Sequence, residues 1–210
     1  MKKLLLSAAV ALIAFTANAQ ESTSSSNDVM FGAKAGVNFA KLTGDDVEDA
    51  DGRTGLNLGF VAELPISEKF SLQGEVVYSQ QGLQEDFEGG EYKLKLDYIN
   101  VPVLAKIYVT DGLAFEVGPQ FGFNVASTAE FQVEGEDGDE LSSVERDLED
   151  AVEGFDFGAA FGASYKLDSG LFFQARYALG LTSVYESSDE GLFQDDLNNS
   201  VLSFSVGFMF

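Results

Sequence analysis

From Phe31 to the last residue the chain alternates large apolar with small or polar residues, in eight successive runs. That period of two is the signature of extended strands with two unlike faces. In the first run Phe31, Ala33, Ala35, Val37 and Phe39 share one face, and Gly32, Lys34, Gly36 and Asn38 the other. The second sets Leu56, Leu58, Phe60, Ala62 and Leu64 against Gly55, Asn57, Gly59 and Glu63. The third sets Phe70, Leu72, Val76 and Tyr78 against Ser71, Gln73, Glu75 and Ser79. The fourth changes phase: Tyr92, Leu94, Leu96 and Tyr98 are even, whereas Ile99, Val101, Val103, Ala105 and Ile107 are odd. A one-residue slip of this kind predicts a bulge near Tyr98-Ile99, just before Pro102. Runs five to seven carry Leu113 to Phe123, Phe155 to Tyr165 and Leu171 to Leu181 on odd positions. The eighth uses Leu202, Phe204, Val206, Phe208 and Phe210.

The connections alternate in length. Pro65 to Lys69, Thr110 to Gly112 and Leu167 to Gly170 are tight, whereas Thr43 to Arg53, Gly82 to Glu91, Thr128 to Gly154 and Glu186 to Asn199 are long. Short turns on one rim and long loops on the other are how outer-membrane barrels are built. Weak helical periodicity within Asp139 to Val152 is the one departure from strand and loop.

The N-terminus indicates export. Lys2 and Lys3, an apolar run from Leu4 to Phe15 and the small-residue site Ala17-Asn18-Ala19 make a signal peptide, with cleavage expected after Ala19. That run is shorter than the roughly 20 residues a spanning helix needs. Residues 20–29 read as a polar leader and 30–210 as one barrel domain. The formal charge of −23 becomes −25 once Lys2 and Lys3 leave, which argues against nucleic acid as a partner.

Alternation does not say which face is inside. A soluble periplasmic lipid-binding barrel would turn the apolar set inward. The interior of an eight-stranded barrel is only wide enough for its own side chains or one small ligand. The large apolar set cannot fit there, whereas the polar set, padded by glycines such as Gly36, Gly59, Gly118 and Gly162, can. The expected fold is therefore all-β: an eight-stranded antiparallel up-and-down transmembrane β-barrel with short periplasmic turns and long extracellular loops. On this register Lys34, Lys93, Lys95, Lys106, Lys166 and Arg176 point inward, as do Glu63, Glu75, Asp97, Glu116 and Asp156. Buried charges must be paired, so these residues are expected to form a structural lumen charge network, with Arg176 meeting Glu75, Glu116 or both.

The long loops hold most of the acid, from Asp45 in the first to Asp196 in the fourth, opposed only by Arg53 and Arg146. A solvated, self-repelling surface accounts for this. Divalent cations at the acidic loops are a candidate partner. An EF-hand is not present: with Gly52 or Gly138 at its sixth position, Val47 or Val133 falls where the first acid belongs. The chain lacks His and Cys, has no Gly-x-Ser-x-Gly elbow and no phosphate-binding glycine motif, so neither enzyme activity nor a cofactor is expected.

Three stretches carry a family resemblance. Phe31-Gly32-Ala33-Lys34-Ala35-Gly36-Val37-Asn38-Phe39, then Leu96-Asp97-Tyr98-Ile99-Asn100-Val101-Pro102 through Lys106, and Gly118-Pro119-Gln120-Phe121-Gly122 resemble strands of the PorT-like outer-membrane β-barrel domain family. The aromatic end, Phe208-Met209-Phe210, is similar to the C-terminal signal read by the barrel assembly machinery, with Phe208 and Phe210 as its residues. The resemblance implies an outer-membrane location, contact with outer-membrane lipid and lipopolysaccharide, and a member linked to secretion and gliding. A structural or surface-interaction role is the leading expectation. A transport protein, as a narrow pore or a secretion or gliding accessory, is the alternative, and the periplasmic lipid carrier is third.

Overall fold

A computed structural model of the chain describes residues 28–43, 51–87, 90–133, 142–148, 152–184 and 197–210. The expected signal peptide, most of the expected leader and the acids of the loop tips, among them Asp45, Glu136 and Asp196, lie outside these residues. Nine strands are present: β1 Met30–Thr43, β2 Asp51–Ser67, β3 Phe70–Phe87, β4 Gly90–Tyr108, β5 Leu113–Val133, β6 Ser142–Asp147, β7 Phe155–Lys166, β8 Leu171–Gly180 and β9 Asn198–Met209. They pair antiparallel in the order β4-β3-β2-β1-β9-β8-β7-β5, and β4 also pairs with β5. This closes a ring of eight and leaves it no edge. β6 lies outside the ring, against the upper end of β5, with Thr128 opposite Asp147 and Val133 opposite Ser142. Residues 142–147, within the stretch of weak helical period, therefore form a strand, because pairing with β5 supplies their backbone hydrogen bonds.

The tight turns fall where expected and share one rim. The third turns at Gly170, whose φ of +92° suits glycine, and a Cβ there would lie 2.4 Å from the Met209 carbonyl oxygen. Close strand approach explains other small residues: a Cβ on Gly118 would sit 2.0 Å from the Val103 oxygen and one on Gly36 2.2 Å from that of Phe204.

The large apolar residues face outward. Phe60, Leu58 and Leu56 are 71%, 64% and 60% exposed, and similar residues ring every strand of the barrel. A face this apolar demands lipid rather than water. On β4 the belt runs from Ile99 to Ile107. That is about 27 Å of strand, or about 19 Å of height at a tilt of about 45°, comparable with the apolar band of outer-membrane barrels. Above the belt β3, β4, β5 and β6 continue as a wall standing over one side of the mouth.

The expected slip in β4 does not occur. β4 keeps one alternation, with Leu94, Leu96, Tyr98, Asn100, Leu104 and Lys106 all buried and facing inward. The bulge is in β5: Asp97 pairs with Ala126 but Tyr98 with Asn124, leaving Val125 as the extra residue. It sits at the upper edge of the belt, where lipid no longer dictates which face is apolar. Above it the apolar face turns inward. Leu42, Leu83, Leu94, Leu96, Tyr98, Val152, Val184 and Leu197 pack there as a cap over the lumen.

Candidate functional site

The lumen is the place where this fold concentrates chemistry. Four of its charged residues come from strands that face each other across the ring. β3 and β8 lie four strands apart either way round, as do β1 and β5. A barrel of eight strands is narrow enough for side chains from opposite walls to meet. Arg176 on β8 is flanked by Gly162, which has no side chain, and by the small Ser203, so its guanidinium has room to cross. It donates to both oxygens of Glu75 on β3 at 2.7 Å, and its Nη2 also donates to Glu116 Oε2 on β5 at 2.8 Å. Lys34 of β1 completes the cross, 2.7 Å from Glu75 Oε2 and donating to Gln174 Oε1 at 2.8 Å. Gln174 donates in turn to both Glu116 oxygens, at 3.1 and 2.9 Å, and Gln73 Nε2 to Glu75 Oε1 at 2.5 Å.

A second group lies nearer the short-turn rim. Lys106 Nζ is 3.1 Å from Glu63 Oε2 and 3.8 Å from Glu116 Oε1, so it links the two groups. The Tyr108 hydroxyl donates to Glu63 Oε1 at 2.5 Å. Lys34, Lys106 and Arg176 thus stand against Glu63, Glu75 and Glu116, and each of the six is almost fully buried. Three cations and three anions make the layer neutral. Each isolated charge would cost several kcal/mol in such a place, which the multiple short contacts offset.

On the loop side of this layer the lumen turns to amides and hydroxyls. Asn38 Nδ2 donates to Ser79 Oγ at 2.9 Å, Asn57 Nδ2 to Asn38 Oδ1 at 2.8 Å, and Ser205 Oγ to Asn57 Oδ1 at 2.9 Å. A cavity of about 30 Å³ lies among Asn38, Asn57, Asn100, Gln120 and Arg176, room enough for water. Higher still, Asp156 accepts from Thr182 Oγ1 at 3.0 Å and Asn199 Nδ2 at 2.9 Å. The apolar cap closes the top.

The remaining sequence candidates divide. Lys166 is inward but at the rim, with its Nζ 5.7 Å from the centre of the Tyr108 ring. Lys93, Lys95 and Asp97 do not enter the lumen. Because β4 never changes phase, they lie on its outer face, where Lys93 pairs with Glu91, Lys95 with Glu130, and Asp97 accepts from the Tyr78 hydroxyl at 2.6 Å. Above the membrane belt, Lys95 and Gln132 hold the Glu130 carboxyl below the usual carboxylate range. Phe208 and Phe210 are outward and exposed at the rim. Sequence reasoning placed Gln73 on the inward face without a part in the network, and it missed Tyr108, Gln174 and the cap. Carrying the inward phase of β1 one step past Ala40 would have reached Leu42, the first sign of it. No group of three or more metal-ligating side chains occurs among the described residues.

The family described as outer membrane protein beta-barrel domain matches residues 18–186. Among solved structures, the chain is similar to Ail, the attachment invasion locus protein of Yersinia pestis, at 13% identity, over 87% of this chain and 99% of that one, with a TM-score of 0.47. Neisserial surface protein A gives 14% identity, 86% and 97% coverage and a TM-score of 0.46. A major outer membrane protein from Thermus thermophilus gives 13%, 87% and 100%, with a TM-score of 0.48. No curated protein matches the chain.

Proposed function

The chain belongs to the outer membrane protein beta-barrel domain family, and from that premise we propose a closed, non-conducting barrel with a structural or surface-interaction role. The observation that carries this reading is the neutral lumen layer, in which Arg176 reaches across from β8 to Glu75 on the facing β3 and also holds Glu116 on β5. A permeating ion would have to displace a bidentate pair and then cross the apolar cap. The lumen network of Lys34, Glu63, Glu75, Lys106, Glu116 and Arg176 is then a scaffold that braces the walls, and the barrel has no catalytic role. The acidic loops form the surface offered outside the cell, where they meet divalent cations and cationic partners. Removal of residues 1–19 and recognition of Phe208 and Phe210 by the assembly machinery belong to the same reading. So does the PorT-like affiliation, which rests on the motifs in β1, β4 and β5.

Planar-bilayer recording tests the closed barrel. The mature protein, refolded and showing a heat-dependent gel shift, is expected to give no discrete conductance steps in molar potassium chloride. Regular steps at neutral pH would replace this reading with a narrow pore.

A further inference from the structure

The wall above the mouth has an inner face on which the register sets four residues side by side. Glu85 of β3 pairs with Tyr92 of β4, Tyr92 with Phe131 of β5, and Phe131 with Val144 of β6. In the row below, Leu83 and Leu94 belong to the apolar cap, and Tyr92 packs against it. The upper row is open among the described residues: Phe131 is 45% and Val144 64% exposed, and Glu85 is exposed beside them. An apolar surface standing above the lipid belt marks a contact site rather than a membrane face.

The charges of the row favour one sign of partner. The rings of Tyr92 and Phe131 lie 4.7 Å apart at 40°, and aromatic faces attract cations. Burial, with the Glu85 carboxylate beside it, pushes the Tyr92 hydroxyl up from its ordinary value. Among the described residues no cation lies within 4 Å of Glu85. Lys93 and Lys95 are on the opposite face of the wall, paired with Glu91 and Glu130. Arg146, the one described cation of β3 to β6 on the inner face above the belt, sits in the row below, on β6, three strands from Glu85.

We propose that this row binds a cationic, amphipathic peptide, with a basic side chain held by Glu85 beside the Tyr92 ring and an apolar side chain on Phe131 and Val144. The proposal deepens the surface-interaction reading above and rests on it. Three strand spacings, about 14 Å, separate Glu85 from Val144, and four residues of extended chain span that distance. The basic residue of the peptide therefore follows the apolar one by four positions. A formal charge of −23 draws cationic partners and repels acidic ones, a second copy of this chain included.

The chain has no tryptophan, so Tyr92→Trp places a single fluorophore in the row and keeps an aromatic ring there. The mature variant, refolded and checked by its heat-dependent gel shift, is titrated at low salt with acetyl-Phe-Ser-Ser-Ser-Lys-amide and with the same peptide ending in Glu. A saturable emission change is expected with the lysine peptide, and binding at least about fivefold weaker with the glutamate peptide. In the same background Glu85→Gln should weaken the lysine peptide at least about threefold, and Val144→Ser should do so by a similar factor. Glu85→Gln removes one charge from a strongly acidic chain, so a general attraction would not register it. Equal binding of the two peptides, an unchanged affinity in Glu85→Gln, or no saturable change would each overturn the proposal. So would tryptophan emission fully shielded from acrylamide before any peptide is added, because the chain's own loops or a second copy would then occupy the row. None of these outcomes bears on conductance, so the closed-barrel reading stands or falls separately.

Discussion

At the scale of single residues, position relative to the lipid belt decides what a charge does. Lys34, Lys106 and Arg176 are buried inside the barrel with Glu63, Glu75 and Glu116, and the six are neutral only together. Lys93 and Lys95 carry the same charge on the next stretch of the same kind of strand, yet they sit outside, above the belt, where water screens them. The consequences of losing them differ accordingly. Arg176→Met takes from two buried carboxylates the cation they share, leaving Glu75 with Lys34 and Glu116 with the more distant Lys106, and should cost about 3–5 kcal/mol. This is read as a lower urea midpoint for loss of the folded, fast-migrating band. Combining it with Glu75→Gln should recover part of that loss, since one stranded charge then disappears. Lys95→Met should move the midpoint by less than about 1 kcal/mol. An Arg176→Met midpoint equal to the parent's would mean that the cross-lumen pairs do not brace the barrel. The inward set of charges was legible below the belt edge, because there one face must meet lipid and the other cannot. It was not legible for Lys93, Lys95 and Asp97, which lie where that constraint has ended.

At the scale of elements, the bulge at Val125 is the device that lets one strand serve two environments. Below it β5 presents Phe115, Val117, Phe121 and Phe123 outward to lipid; above it Ser127 and Ala129 turn inward toward Leu96 and Leu94. β4 needs no bulge, because its even residues face inward along its whole length and simply change character from Lys106 and Asn100 to Leu96 and Leu94. Periodicity places the slip in β4 only if apolar residues face lipid everywhere, and above the belt they do not. Deleting Val125 tests the element directly. Asn124 and Ala126 then follow each other opposite Tyr98 and Asp97, so the ladder should become regular and residues 126–133 should keep their faces, with Ala129 against Leu94 and Glu130 against Lys95. Trypsin should leave the wall at Lys93 and Lys95 as protected as in the parent, and the barrel should keep its heat-dependent shift. New cleavage after Lys93 or Lys95 would show that Val125 is not the residue the ladder can spare.

At the scale of the whole molecule, the barrel is closed twice, by an ionic layer and by an apolar cap above it. The two barriers rest on different physics, so they should fail independently. Arg176→Met with Glu75→Gln should give no conductance steps while the cap stands, and adding Leu94→Ser and Leu96→Ser should produce them. Steps with the ionic layer alone removed would show that the cap is not a barrier, and none in the fourfold variant, if folded, would place the barrier elsewhere. The eight-stranded ring was readable from the chain by itself: a period of two, large residues too many for a narrow interior, and connections alternating between tight and long admit few other closed structures. The pattern also set which residues face lipid within the belt, since one wrong phase would bury charge in hydrocarbon. Only the tertiary structure decided where the belt stops, on which strand the bulge falls, and that the space above is filled by Leu42, Leu83, Leu94 and Leu197. Those choices depend on which residues of distant strands and loops arrive at the same height. Periodicity along one strand carries no information about height around a ring, because that is set by the stagger between strands and by the loops that fold over them.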